Sequence, residues 1–479
     1  MTRNIVFVCL DTVRKDFFDK YARRIQRRAD TSFEQTRSTS CWTVPSHTSI
    51  LTGDLPSEQG VHSRNIDFSK IDRGDTIFDY INKYNTVGIS ANNYTSTKFG
   101  FGEHFDVFID IDRKRYFQQG VSISDWLDQV NSQDWKRYIK FLQYTFQEEN
   151  SLKSLSNGVL SKFDTILPSF GFPRLLDDGG KAINRTTKRV LQEYNEPLFL
   201  YINFMEAHAP RYPRLIYDNS LYELPVDWSQ WSYKESWWDM NLSSEPGQFE
   251  SHFQNVRQIY RAEIEYLDRL VDKLIEIIEN NTLSETTIII TSDHGENLGY
   301  PDEDFTILHT SSLSEGVLHV PFVMINPPDG YDQLESQLFS QLKLPKLISG
   351  IANNSSPNVF NDKIAAETIG ISSPFTLQRK IDGEDFKYLD RMIRGVYRNK
   401  QKYVWDSLDM KYEYEIDCSS SNTQSLKNSD FDIPERIVGL FNTDINVYKE
   451  KVITTSDNKE ERNRLPEKTI QQLKELGYM

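Results

Sequence analysis

Apolar residues along the chain alternate between two patterns, which predict two kinds of element. Short continuous runs rich in Val and Ile are typical of strands that are buried on both faces of a parallel sheet. They occur at 5–10, 86–91, 197–205, 286–295 and 320–325. Between them lie helical patterns, of which the clearest is 257–280, with apolar residues every three to four positions. The alternation predicts an α/β fold with a mostly parallel central sheet and helices on both faces.

Three regions depart from this alternation. Residues 113–173 and 219–252 are rich in aromatic and polar residues without a strong strand pattern, and we interpret both as insertions. Beyond residue 330 the stretches RMIRGVYRNKQKYVWD and MKYEYEID predict antiparallel strands, 421–427 predicts a loop, and the closing LPEKTIQQLKELGYM predicts an amphipathic helix. We therefore predict an α/β catalytic domain at 1–330 and a smaller C-terminal subdomain at 331–479.

Composition narrows the expected partners and location. The 479 residues carry a net charge of −15, and this acidic excess argues against nucleic acid as a partner. Three cysteines do not make a disulfide framework. The first apolar run begins at residue 5, and no uncharged run reaches the roughly 18–20 residues of a transmembrane helix. We expect a cytoplasmic protein with no membrane span; its oligomeric state stays open.

Polar residues with metal-binding and catalytic chemistry follow the predicted strands. Asp11 ends the first run, Asp293 and His294 end the fourth, and ligands bind at the carboxyl ends of strands in such sheets. His208 (in MEAHAP), His309 (in ILHTSSLSEG), His319 and Thr43 (in TVPSHTSILTG) complete the set, with His47 beside Thr43. Each residue alone is more often a cap, a turn or a packed side chain. Together they favour a metal site, because Asp and His bind zinc and similar ions, and a metal activates an otherwise weak Thr nucleophile.

The same residues resemble the sulfatases of the alkaline-phosphatase superfamily. The resemblance rests on FVCLDTVRKD, on TVPSH followed by TSILTG, on TSDHGE, and on the His-containing segment before the Val-Pro strand. It implies an alkaline-phosphatase-like fold and a divalent metal ion held by Asp11, Thr43, Asp293 and His294. It also implies that His208 and His309 contact the oxygens or the leaving group of the substrate.

Three departures from the family pattern bear on the chemistry. Thr43 stands where sulfatases have the Cys or Ser that becomes formylglycine, and Cys41 is not at that position. His47 replaces an Arg, and Thr12 replaces the second Asp of a common pair. The missing carboxylate favours Zn²⁺ or Mn²⁺ over Ca²⁺ or Mg²⁺. A threonine here is similar to the phosphodiesterase and phosphoethanolamine-transferase branches, which use it directly as the nucleophile.

We therefore expect a metal-dependent hydrolase, or a transferase, that acts on the sulfate or phosphate ester of a small molecule or glycan. Thr43 is the expected nucleophile. The alternative is a catalytically degenerate relative that binds a sulfated or phosphorylated glycan without turnover. A purely structural α/β protein would require all these residues to be coincidental caps and turns.

Overall fold

The fold is built around an eight-stranded sheet. The computed structural model describes residues 2–113, 115–121, 136–146, 150–371, 381, 383–417, 422–429 and 431–457. Across the sheet the strand order is β10-β2-β9-β6-β1-β5-β3-β4. These strands are β1 (Asn4–Leu10), β2 (Thr31–Arg37), β3 (Asn85–Ser90), β4 (Val107–Asp110), β5 (Leu198–Phe204), β6 (Thr286–Thr291), β9 (Phe322–Ile325) and β10 (Leu334–Ser340). Two short strands, β7 (Asn297–Leu298) and β8 (Ile307–Leu308), pair separately as a two-stranded sheet.

Parallel pairing dominates this sheet, as the apolar runs predicted. Strand β1 lies between β5 and β6 and is parallel to both, whereas β9 runs antiparallel to its neighbours β6 and β2. Every residue of β1 and β5 is buried. The mostly parallel α/β architecture is therefore confirmed.

Helices cover both faces of the sheet. They are α1 (Lys15–Tyr21), α2 (Arg23–Arg28), α3 (Thr43–Thr52), α4 (Pro56–Gln59), α5 (Ile77–Tyr80), α6 (Lys136–Thr145), α7 (Ser151–Ile166), α8 (Gly180–Glu193), α9 (Trp237–Asn241), α10 (Glu250–Asn281), α11 (Glu315–Leu318), α12 (Leu344–Ala352), α13 (Gly383–Leu389), α14 (Glu435–Val438) and α15 (Ile445–Asp457). Because strand side chains alternate, Val6, Val8 and Leu10 face one core with α8 and α10. Ile5, Phe7 and Cys9 face a second core with α3 and α12.

A separate antiparallel sheet lies in the C-terminal part, in the order β11-β12-β13-β14-β15. Its strands are β11 (Lys363–Ile369), β12 (Met392–Arg398), β13 (Gln401–Asp406), β14 (Lys411–Ile416) and β15 (Gln424–Asn428). The predicted antiparallel strands are confirmed. The loop predicted at 421–427 is wrong, because 424–428 pairs with β14 as an edge strand whose polar side chains face solvent.

The regions predicted as insertions are helical or irregular where they are described. Helices α6 and α7 lie within 113–173, and short turns with α9 occupy most of 219–252 before α10 begins at Glu250. The predicted closing helix and Cys418 lie outside the described residues. The division into two domains at residue 330 stays a prediction. Strand β10 lies beyond residue 330 but belongs to the large sheet. None of the helices in the described part combines the length and apolar character that a membrane crossing requires.

A buried ionic cluster joins the two sheets. The Glu315 carboxylate, at the start of α11, lies 2.9 Å from Arg37 at the end of β2 and 2.9 Å from Lys402 on β13. Tyr397 on β12 donates its hydroxyl to the same carboxylate at 2.5 Å. We call Glu315, Arg37, Lys402 and Tyr397 the inter-sheet cluster. Two cations therefore compensate this buried carboxylate.

Candidate active site

The carboxyl ends of β1 and β6 bring three of the predicted metal ligands together. Cys9 on β1 is in register with Thr291 on β6, so Asp11 and Asp293, two residues further along each strand, are adjacent. Ligand atoms of Asp11, Asp293 and His294 all lie within 4.8 Å of one another. The three side chains are fully buried. Neighbouring parallel strands thus account for the grouping that the sequence indicated.

Thr43 reaches this group from the first turn of α3. Trp42 before it has an extended backbone, and Thr43 begins the helix with 1% of its surface exposed. The link to the carboxylates is Asn92, just after β3, whose side-chain amide donates to Asp11 Oδ2 at 2.5 Å and to Thr43 Oγ1 at 3.4 Å. One amide group therefore connects the predicted nucleophile to a predicted metal ligand.

Several polar atoms of this group lack an internal partner. Among the described residues, Asp11 Oδ1 and His294 Nε2 form no hydrogen bond. Asp293 Oδ2 lies 3.3 Å from Nε2 of both His294 and His47 but forms a hydrogen bond with neither. The His294 Nδ1 hydrogen bonds to the Gly295 carbonyl at 2.8 Å, which leaves the Nε2 lone pair available. Buried polar atoms rarely remain unpaired, and this donor set suits a divalent cation.

The pKa values reflect the same charge imbalance. Burial, together with the neighbouring Asp293 charge, raises the pKa of Asp11 well above its usual range. Burial acts in the same direction on Asp293, but the adjacent His294 and His47 outweigh it and lower the pKa of Asp293. Burial lowers the pKa of His294 to about 4, so its imidazole is neutral at physiological pH, as metal binding requires.

The two other predicted catalytic histidines border this group. The ring centroid of His309 lies 4.5 Å from that of His294 and 5.3 Å from that of His208. Glu296 Oε1 lies 3.0 Å from His309 Nδ1, and Arg211 donates to the other Glu296 oxygen at 2.9 Å. Burial would raise the pKa of Glu296, but His309 and Arg211 lower it to about 2. Burial and the His309 charge lower the pKa of His208.

Three other residues named from the sequence, Thr12, His319 and His47, differ in their positions relative to this group. The Thr12 hydroxyl hydrogen bonds to the backbone carbonyls of Asp11 and Ala207, so it points away from the carboxylates. His319 hydrogen bonds to the Glu34 carbonyl beside the inter-sheet cluster and lies outside the site. His47 contacts the site through Asp293.

Sequence reasoning missed Asn92 and Arg211. Asn92 comes two residues after β3, so its position at a strand end was a usable signal, but an isolated Asn in a loop carries little chemistry by itself. Arg211 lies three residues after His208 and is fully buried between Glu263 and Glu296. Nothing in the local pattern indicates that burial.

Fold and site together define a doubly wound α/β protein with a carboxylate–imidazole centre at the carboxyl edge of its sheet. The chain belongs to the sulfatase family, whose family model matches residues 3–354.

Individual relatives are distant. Iduronate 2-sulfatase from Homo sapiens is 32% identical over 153 residues, which span 27% of this chain and 27% of that relative. The matched part thus spans about a quarter of the length of this relative. The structure of a phosphonate monoester hydrolase from Agrobacterium radiobacter has a TM-score of 0.58 at 13% identity, covering 86% of this chain and 89% of the other.

A third protein, solved in complex with its substrate D-glucosamine-2-N,6-O-disulfate, has a TM-score of 0.56 at 12% identity and covers 87% of this chain and 91% of its own. At such identities, the two solved structures show a shared fold.

Proposed function

We propose that this protein is a divalent-metal-dependent hydrolase of phosphate or sulfate esters that uses Thr43 as its nucleophile. The observation that carries the proposal is the Asn92 amide, which bonds to both Thr43 Oγ1 and Asp11 Oδ2 beside the Asp293 and His294 ligand atoms. The ester of a small molecule or a glycan is the expected substrate, in keeping with the family and with the sulfated sugar bound by one protein of similar fold.

Asp11, Asp293 and His294 would hold the metal ion, with Thr43 as a fourth ligand. A bound divalent ion lowers the pKa of a coordinated hydroxyl and polarises the oxygens of the transferred group. The nitrogen ligand favours zinc over calcium or magnesium. Asn92 fixes the rotamer of Thr43, which a weak nucleophile needs if its oxygen is to face the substrate.

Bond changes balance across two steps. Thr43 Oγ1 loses its proton to solvent and forms a bond to the phosphorus or sulfur atom, while the bond to the leaving alcohol oxygen breaks and that oxygen takes a proton from His309. His309 regains a proton from solvent. Water then cleaves the Thr43 ester and restores the hydroxyl. His309 is the proposed proton donor, because its ring lies beside His294 and His208 and Glu296 Oε1, 3.0 Å from its Nδ1, holds the ring in place. The lowered pKa of His208 keeps it neutral, as a hydrogen-bonding partner for substrate oxygens.

We lean to a phosphate ester within this class. The sulfatase mechanism of this family needs an aldehyde hydrate, and a threonine cannot be converted to formylglycine. Direct attack by a hydroxyl gives a phosphothreonine-type ester that water can hydrolyse.

The test compares an aryl phosphate monoester, an aryl phosphate diester and an aryl sulfate on the zinc- or manganese-loaded protein. Thr43→Ala should lower the turnover of phosphate esters by at least about a thousandfold, because the nucleophilic oxygen is lost. Acid-quenched wild type should carry a phosphoryl group on the peptide that contains Thr43.

The matched control is Thr52→Ala on the same helix, whose hydroxyl hydrogen bonds, within the described part of the chain, to the Thr48 carbonyl and the Asp54 backbone amide. It should leave turnover unchanged. Activity that survives Thr43→Ala would show that water or another residue attacks. A metal-loaded wild type that binds these esters without turning any of them over would favour the degenerate binding protein.

A further inference from the structure

A second group of metal-binding side chains lies directly behind the first. Ligand atoms of Cys9, His47 and Asp293 all lie within 4.8 Å of one another, and all three side chains are fully buried. Cys9 lies on β1 and Asp11 directly follows the strand, two residues after Cys9. His47 lies one helical turn after Thr43 on α3. The proposed reaction uses neither Cys9 nor His47.

The separations within this group match those between ligands of one ion. Cys9 Sγ is 3.9 Å from His47 Nε2, and His47 Nε2 is 3.3 Å from Asp293 Oδ2. From standard zinc–ligand bond lengths, sulfur, nitrogen and oxygen ligands around a tetrahedral ion lie about 3.4–3.6 Å apart. A shift of a few tenths of an ångström would bring Cys9 Sγ to this distance from His47 Nε2, and the Cys9 and Asp293 ligand atoms lie within 4.8 Å of each other.

The Asp293 carboxylate stands between the two groups. Its Oδ2 is 3.3 Å from Nε2 of His294 on one side and 3.3 Å from Nε2 of His47 on the other. It hydrogen bonds to neither ring. An oxygen at ligand-to-ligand distance from two imidazoles, but outside hydrogen-bond geometry with both, is arranged as a carboxylate shared by two ions.

His47 is held in the orientation that a ligand needs. Its Nδ1 lies 2.5 Å from the hydroxyl of Tyr201, a buried residue on the neighbouring strand β5. Metal-binding histidines almost always use their second nitrogen for such a hydrogen bond, which fixes the tautomer and the ring plane. When Tyr201 accepts the Nδ1 proton, the Nε2 lone pair points toward Cys9 and Asp293.

We propose that Cys9, His47 and Asp293 form a second metal site for a thiophilic divalent ion such as zinc, next to the Asp11–Asp293–His294 site and sharing Asp293 with it. The thiolate selects zinc over calcium or magnesium. Binding releases the Cys9 thiol proton to solvent. The inference rests on the proposed function only in that Asp293 serves both sites.

The test loads the metal-free full-length protein with cobalt(II), for which a thiolate ligand gives a near-ultraviolet charge-transfer absorption. Wild type should bind two ions per chain and show this absorption. Cys9→Ser should lose the absorption and one ion, while it keeps the visible bands of the first site. The control is Cys41→Ser, since Cys41 is also buried and free but hydrogen bonds to Thr368; it should keep both ions and the absorption.

A measurement on wild type alone tests the proposal even if the Cys9→Ser variant does not fold. X-ray absorption at the zinc edge should show a sulfur neighbour at about 2.3 Å. A spectrum with nitrogen and oxygen neighbours only, or a cobalt–thiolate absorption that persists in Cys9→Ser, would overturn the proposal. Neither readout depends on turnover, so failure of Thr43 as the nucleophile leaves this result separately interpretable.

Discussion

Two groups of buried carboxylates in this protein differ in where their counter-charge comes from. In the inter-sheet cluster, Glu315 has a lysine and an arginine within 2.9 Å. At the candidate active site, Asp11 and Asp293 share a small buried volume, and no Lys or Arg within the described ranges forms a salt bridge with either. Both groups are equally inaccessible to water. A buried carboxylate pair that the fold leaves without a Lys or Arg partner favours a site that takes its cation from solution.

The pKa values of Glu315 and Asp11 follow this difference, whereas the neighbouring His294 and His47 lower the pKa of Asp293 despite its burial. Burial would raise the pKa of Glu315, but Arg37 and Lys402 lower it to about 2. Asp11 keeps the effect of burial and of the Asp293 charge, and its pKa is raised. Perturbed carboxyl groups occur at structural and functional sites alike, so the direction of the shift and the identity of the neighbours are what separate them.

The largest effect on stability is expected at the inter-sheet cluster. Glu315→Gln should lower the free energy of unfolding by about 3–5 kcal/mol, because it leaves Arg37 and Lys402 buried without an anion. Urea unfolding at neutral pH measures this change. The control, Glu384→Gln, removes a carboxylate that is 85% exposed in a surface pair with Lys387 and should change stability by less than about 0.5 kcal/mol. Equal effects of the two variants would remove the basis of the comparison.

A smaller effect is expected when the pH dependence of the free energy of unfolding is compared between wild type and Glu315→Gln. The folded pKa of Glu315 is about 2 and its ordinary value is 4.5. Its ionised form therefore stabilises the fold above pH 4.5, and that stabilisation is lost as the pH falls toward 2. Between pH 7 and pH 4, wild type should lose about 1 kcal/mol more than Glu315→Gln. Parallel stability curves for the two proteins over this range would show that Glu315 is not held ionised.

The smallest effect is expected at Asp11 in the metal-free protein. Asp11→Asn should leave the free energy of unfolding unchanged or raise it by at most about 1 kcal/mol, because the ionised carboxylate is already disfavoured there. Unfolding in the presence of a chelator measures this. A loss of more than about 3 kcal/mol would place Asp11 with Glu315, as a carboxylate that the fold itself compensates.

The local sequence pattern predicted well which residues lie at the strand ends of the site. The apolar runs that end in Asp11 and in Asp293–His294 identify buried parallel strands, and adjacent parallel strands place their ends side by side. The antiparallel C-terminal strands were equally visible. By contrast, β15 and β2 are polar at many positions because they pair at or near a sheet edge, so they resemble loops in sequence.

Contacts that depend on tertiary packing could not be predicted from the sequence. Asn92 contacts Asp11 and Thr43 only because β3 is brought beside β5 and α3 packs across the sheet. The Glu296–Arg211 pair and the Cys9–His47 contact join residues 85 and 38 positions apart. Residue spacing carries no information on such distances, whereas it does fix which side chains share one face of a strand.

The most direct test of the central claim is zinc-dependent thermal unfolding of the metal-free protein, for wild type and Asp293→Asn. Asp293 contributes to both groups of ligands, so it is the single residue on which cation binding depends most. Zinc should raise the unfolding midpoint of wild type, with about 2.7 kcal/mol of stabilisation at a hundred times the dissociation constant. Asp293→Asn should show little or no rise. An equal rise in the two proteins would contradict the claim that these unpaired carboxylates bind the cation.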